Sequence, residues 1–382
     1  MKINLKNIAF ISFVLYCTIR NSLYVVGKYN YAIIFKVLSI VLLILSLSVI
    51  LYYYKEKIRI KEILLAFFNF FNGIPYEAFE FNKIERNICI GFLFCNHSYK
   101  IRKKIFKILY KIILIISILS IIEYLYYQLG GRIKFTIVNT YKEDFGVYYY
   151  LGYFNSYLVG IKSNFFVKRL LSIYDEPGYF GTFLGIFILF LKEKNKLKLS
   201  IIYLAGILTL STAFFYFLTM KILIENSSLK KIYKIILVFL LIFFLTGILY
   251  KKSENFNKNV LLKIEKLVEN KSLNRVRESE MYRINEFKKN GNLLFGERKK
   301  FINDGGLSLW MKVYEKGFFG IFIEVLIFLN ISNYIKLKNK KVRLMIIIAL
   351  TSIFQRPNIL DISTLICIYS GPTYYYLKIN GE

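Results

Sequence analysis

The chain is expected to be all-α, a polytopic transmembrane helix bundle of about twelve spans with two large extracytoplasmic loops. Three observations lead there. First, 56% of the 382 residues are apolar and 18% are aromatic, with a mean hydropathy of +0.47. That is too little polar surface to cover a water-soluble fold. Second, apolar runs alternate with short lysine clusters. Third, two long non-apolar segments interrupt the alternation, 129–177 and 251–306.

Apolar runs fall at 8–26, 31–54, 63–72, 84–97 and 108–128, then at 178–191, 199–212, 213–224 and 235–250, and finally at 307–333, 344–354 and 359–377. Several are shorter than the ~20 residues a bilayer crossing needs. The start, "MKINLKNIAFISFVLYCTIRNS", has the charge and apolar core of a signal peptide but no small-residue cleavage site, so it is expected to stay as the first span. The clusters "KEKIRIK", "KIRKKIFK", "KEKNKLK", "KKIYK" and "KLKNKKVR" belong on the cytoplasmic side. Twelve spans with both termini cytoplasmic put all five there, whereas fusing 199–224 into one span would split them. The whole chain, 1–382, is then a single integral membrane domain.

The net charge of +30 resides largely in these clusters. It is read as loop patterning, not as a nucleic-acid footprint. Four cysteines without a C-x-x-C pair, and the single histidine His97, leave zinc and iron–sulfur sites without ligands. No cofactor or metal is expected. In the second long segment Val260, Leu261, Ile264, Leu267 and Val268 keep helical spacing, which predicts a surface-lying helix over Asn257–Glu269.

The densest chemistry lies in "RLLSIYDEPGYFGTFLGIFILFLKEK". Pro177 suits the first turn of a helix, because its missing N–H would be unsatisfied there anyway. That makes Glu176 the cap and Asp175 its outer neighbour, both at the positive end of the helix dipole. A good N-cap explains one acid, but not two acids beside Lys168 and Arg169. Gly181 and Gly185 form a G-x-x-x-G that permits close helix packing. Arginine holds phosphate oxygens with a planar fork, and a nearby carboxylate can take a proton from a hydroxyl. The combination suits group transfer away from a pyrophosphate leaving group.

"RLLSIYDEPGYFGTFLG" resembles a stretch of Wzy-type O-antigen and capsular polysaccharide polymerases, of the O-antigen ligase/polymerase superfamily. Similar too are "LLFGERKKFINDGGLSLWMKVYEKGFFGIFIEVLI", with its E-x-G-x-x-G, and "SIFQRPNIL", with Gln-Arg-Pro. The resemblance covers the two-loop layout and about four short patches of sequence. It implies polymerisation of oligosaccharide repeat units carried on undecaprenyl pyrophosphate, in a bacterial cytoplasmic membrane, beside a flippase and a chain-length regulator. The family's arginine-to-glycine spacing maps onto Arg169 with Gly181 and Arg283 with Gly296, each interval slightly long. Arg169, Asp175, Glu176, Arg283 and Arg356 are the expected catalytic group; Arg275, Arg277, Arg298, Asp304, Gly181 and Gly296 the expected substrate contacts.

Blander roles compete at each position. Arg275, Arg277 and Arg283 can pair with Glu278 or Glu280, Asp304 suits a turn in "NDGG", and Tyr148, Tyr149, Tyr150 and Tyr153 suit a membrane interface. Arg20, late in the first run, is expected to snorkel outward. Two other functions compete as well. An O-antigen ligase would carry a histidine in the second loop, where Asp304-Gly305 stands. A flippase would carry mid-span charges and repeated halves, and only Glu123 and Glu324 lie near span middles or ends.

Overall fold

The computed structural model describes residues 5–20, 22, 34, 37–38, 40–44, 89, 93, 98–134, 136–138, 147–160, 163–166, 169–174, 177–225, 278–297, 309–354 and 361–381. The fold is predominantly helical. Among the described residues the helices are α1 (Leu5–Ile19), α2 (Tyr99–Gln128), α3 (Pro177–Phe190), α4 (Lys196–Leu208), α5 (Thr212–Glu225), α6 (Glu278–Asn290), α7 (Leu309–Ile331), α8 (Lys340–Leu350) and α9 (Ile362–Ile379). One of these, the 30-residue α2, is long and apolar enough to cross a membrane. Asn7–Ile19 and Gly178–Phe190 are apolar but shorter.

α3 is the central helix. Phe183, Leu184, Phe187, Ile188 and Phe190 are all buried, and α3 packs against α4, α5, α8 and α9. Its partnership with α5 depends on small residues. A Cβ on Gly185 would meet the ring of Phe217, so the absence of side chains at 181 and 185 sets the interhelical distance. Phe106 stacks between Phe187 and Tyr374, with centroids 5.0 Å and 4.5 Å away, locking α2 and α9 onto α3.

The helix ends sort into two groups. At one end Lys104 Nζ donates to Asn7 Oδ1 (2.6 Å), Tyr374 Oη to Lys192 O (3.4 Å), and the buried Lys221 Nζ to Ile188 O and Leu191 O (2.6 Å each). At the other end Tyr174 Oη donates to Thr18 O (2.9 Å), Ser363 Oγ to Cys17 O (2.7 Å), and Leu170 N to Leu208 O (3.0 Å). Residues 199–224 form two helices, α4 and α5, joined by a turn at 209–211. α4 starts at the lysine-rich end and α5 returns to it, the separation the charge pattern required.

The 129–177 segment holds structure that apolar periodicity did not foretell. Thr136–Val138 (β1), Val147–Leu151 (β2), Ser156–Gly160 (β3) and Ser163–Phe166 (β4) form an antiparallel meander in the order β1-β2-β3-β4. The β2–β3 turn is seated on α2. Phe154 N donates to Glu123 Oε2 (2.5 Å), Asn155 Nδ2 to Ser120 O (2.6 Å), and Tyr157 Oη to Glu123 Oε1 (3.3 Å). Glu123 is thus buried with its acceptors engaged, the condition under which a carboxylate tolerates loss of water. Tyr157 is buried in turn, and burial together with the adjacent Glu123 charge holds its hydroxyl well above the ordinary tyrosine range.

One expectation about charge changes, and a second charged side chain is buried without having been singled out. Arg20 is buried rather than snorkelled, because the first helix ends under the Ser22–Tyr174 bridge instead of in open solvent. Arg102, inside the "KIRKKIFK" cluster, is 0% exposed. Its Nη1 donates to Ile331 O and Tyr369 O at 2.6 Å each, and its guanidinium lies 4.0 Å over the Tyr369 ring. One side chain thereby ties α2 to the end of α7 and to α9.

Candidate functional site

α3 begins at Pro177, as the proline rule requires. Asp175 and Glu176 lie outside the described residues, which resume on either side of them. Tyr174, just before them, is fully buried and hydrogen-bonded to the end of α1. Tyr179, just after, donates its hydroxyl to Asp361 Oδ2 in a short hydrogen bond, and its ring lies 4.9 Å from that of Tyr174. Asp361 also caps α9 by accepting from Thr364 N (3.4 Å). Two stretches 182 residues apart thus meet: "DEPGYFG" at the start of α3 and the segment just after "QRPNIL" at the start of α9. The end of α1 closes the third side through Thr18 and Cys17. Asp361 was not among the residues picked from sequence. Its signal was its place, five residues beyond Arg356 and directly before a helix.

Arg169 stands beside this junction with a defined task. Its Nε donates to Thr209 O (2.8 Å) and its Nη2 to Leu210 O (2.9 Å), satisfying carbonyls at the α4 terminus. The fork expected to face phosphate is therefore engaged with the α4–α5 turn. Gly181 lies against the same turn: a Cβ there would come within 2.7 Å of Ser211 Oγ and Thr209 Oγ1. So Arg169 and Gly181, linked by spacing in the sequence, both lie against one turn.

The second loop builds a separate contact. α6 packs on the start of α7 through Ile284 with Met311 and through Phe287 with Tyr314, ring centroids 5.0 Å apart. Arg283 is on α6 and exposed. The E-x-G-x-x-G of α7 acts as a socket for "LLFG". Gly317 has φ +66° and breaks the helix, and Phe318 N and Phe319 N then donate to Leu293 O (2.9 Å) and Leu294 O (3.0 Å). A side chain at Gly317 would collide with the Phe295 backbone at 2.5 Å, so glycine is required by both φ and space. Gly296, φ +70°, sits against Gly317 N, a packing reason for glycine at a position expected from sequence as a substrate contact. Across the kink, Lys316 reaches the buried Glu324 in a short ion pair, which neutralises that mid-helix acid.

Arg275, Arg277, Arg298, Asp304 and Arg356 lie outside the described residues, as do His97, Cys95 and the helix expected over Asn257–Glu269. Tyr153 is exposed at the β2–β3 turn, and residues 148–150 lie on β2. The described contacts join Arg169, Gly181, Tyr179 and Asp361 at one end of the bundle; Arg283 and Gly296 belong to the α6–α7 unit. Among the described residues there is no group of histidine, cysteine and acidic side chains able to hold a metal ion.

Compared with protein-family models, curated proteins and solved structures, the chain matches none.

Proposed function

We propose that the chain is an integral membrane polymerase of lipid-linked oligosaccharide repeat units. The observation that carries this reading is the meeting of "DEPGYFG" with the start of α9 through Tyr179 and Asp361. It brings Tyr179, three residues after Glu176, to Asp361, five residues after Arg356, and both parent stretches resemble the same polymerases. The apolar exterior suits a bilayer: Ile115, Ile122 and Phe322 are 57%, 60% and 57% exposed on α2 and α7, surfaces water would penalise. Twelve spans, with the meander end outside the cell and both termini inside, complete the arrangement.

In this reading Arg169, Arg283 and Arg356 hold the pyrophosphate of the donor, and Arg275, Arg277, Arg298 and Asp304 contact phosphate or sugar. The acceptor hydroxyl oxygen attacks the anomeric carbon of the growing chain. The bond from that carbon to the pyrophosphate oxygen breaks, and undecaprenyl pyrophosphate leaves with its new negative charge held by arginine. Asp175 or Glu176 takes the hydroxyl proton. No metal or organic cofactor enters the scheme.

The test is the length of surface polysaccharide in cells lacking the gene and in cells complemented with wild type or Glu176→Ala. Deletion is expected to leave single repeat units on the carrier, with wild type restoring the ladder and Glu176→Ala failing to. Loss of every exported repeat unit would indicate a flippase instead, and long polymer not joined to its final acceptor would indicate a ligase.

A further inference from the structure

The lysine-rich end of the bundle, opposite the proposed catalytic face, holds a cavity of about 360 Å³, a size within the range of small-ligand sites. It lies where the α3–α4 connection, α5, the start of α8 and the end of α9 meet. Its floor is Lys221, 4% exposed and fixed by Ile188 O, Leu191 O and Glu225. Lys192 and Lys341 are exposed at its rim, and Tyr203 lines its wall without a hydrogen bond to another described residue.

Two carboxylates share the cavity, and both are already engaged. Glu225 Oε1 accepts from Tyr375 Oη (2.9 Å) and pairs with Lys221 at 3.4 Å. Glu193 accepts from Asn195 N at 2.9 Å. Burial raises Glu193, but backbone N–H groups led by that of Asn195, with the Lys198 charge, outweigh it and hold the group below the usual range, so it stays charged. Three lysines against two acids leave the cavity positive.

Basic residues at two helix starts add to that field. α4 opens with Lys196 and Lys198, and α8 with Lys340, Lys341 and Arg343; neither has an acid in its first turn. Cations at a helix N-terminus oppose the dipole, which favours anions there. The C-terminal ends of α3, α5 and α9 meet the same cavity and offset those two dipoles, so its positive field comes from the lysine side chains, which an anion would relieve. Leu191, Leu199 and Ile379 supply an apolar side to the same cavity. A polar charged floor beside an apolar wall matches the boundary between a lipid headgroup and its acyl chains.

We infer that this cavity binds an anionic phosphate ester, supplied by the headgroup of a membrane phospholipid, with Lys192 and Lys341 as its phosphate-facing cations. The site is independent of the proposed transfer chemistry and sits at the other end of the helices.

The experiment measures thermal unfolding of the purified full chain titrated with phosphatidylcholine micelles, with mixed phosphatidylcholine–phosphatidylglycerol micelles, or with inorganic phosphate. Proteins compared are wild type, Lys192→Gln/Lys341→Gln, and Lys100→Gln/Lys103→Gln, which removes the same charge from the same end outside the cavity. Phosphatidylglycerol is expected to stabilise wild type, and the cavity double variant to bind it roughly 25-fold more weakly, about fivefold per lysine, while the control double variant keeps its affinity. The same pattern with inorganic phosphate, and not with lipid, upholds the phosphate site and overturns the lipid as its source. Equal weakening in both double variants, or no stabilisation of wild type by either probe, overturns the site.

Discussion

Replacing Gly181 by alanine tests the contact that joins α3 to the α4–α5 turn. The added Cβ would lie 2.7 Å from both Ser211 Oγ and Thr209 Oγ1, and nearer still to Ser211 Cβ. Ordinary contacts need about 3.5–4.0 Å, so the turn must retreat by roughly 1 Å. It resists, because Thr209 Oγ1 donates to Gly206 O (2.6 Å) and accepts from Ser211 N (3.2 Å), while Arg169 grips the Thr209 and Leu210 carbonyls. Overpacking at a stiff site costs about 2–3 kcal/mol. Ser211→Gly removes the nearest atoms and, at the position before α5, costs only a few tenths of a kcal/mol itself. The double variant should therefore recover about 1–2 kcal/mol, with Thr209 Oγ1 still crowding the methyl group. Reversible unfolding of all four proteins in detergent gives the cycle. A Gly181→Ala protein within ~0.5 kcal/mol of wild type, or strict additivity of the two changes, would refute the proposed packing.

Three further outcomes are expected. Arg102→Ala strands two carbonyls and an aromatic face in the interior, so it should lower stability by about 3 kcal/mol or more, and Arg102→Lys should recover only part of that, since one ammonium cannot reproduce the stacked fork; unfolding midpoints check both. Glu123→Ala leaves Phe154 N–H without its acceptor and should cost about 1–3 kcal/mol, seen as faster hydrogen exchange at residues 153–157, while Glu123→Gln keeps one acceptor and should cost less. Tyr157 is held neutral in the fold, whereas an unfolded tyrosine ionises near pH ~10. Above that pH the unfolded chain gains by releasing a proton the native state retains, so stability falls as pH rises, and Tyr157→Phe should make the alkaline decline shallower.

Much of the helical layout was legible because its causes are local. Pro177 sets the start of α3, the G-x-x-x-G sets its closeness to α5, and the lysine clusters demanded a break near residue 210 that the 209–211 turn provides. The meander was missed because its cues are not apolar periodicity. "VYYYL" and "SYLVG" are aromatic and β-branched runs separated by a four-residue turn, a hairpin pattern inside a segment read only as loop. Arg102 was missed because a charge in a lysine cluster looks solvated, yet it shares spacing with Phe106, Leu109 and Ile113 on the buried stripe of α2. Ser117, Ser120 and Glu123 recur every third residue on that helix, and Ser120 and Glu123 form its polar contact with the sheet region. In the candidate site the local start of α3 was readable, but the pairing of Tyr179 with Asp361 was not. It depends on the packing of α3 against α9, which a single sequence does not encode at any fixed spacing.

The central claim is tested most directly by incubating the purified full-length chain with lipid-linked repeat units as the sole substrate and separating the products by length. A ladder of lengthening glycans, with release of undecaprenyl pyrophosphate matching each added unit, is the predicted result. A folded protein that leaves the repeat units unjoined would contradict it.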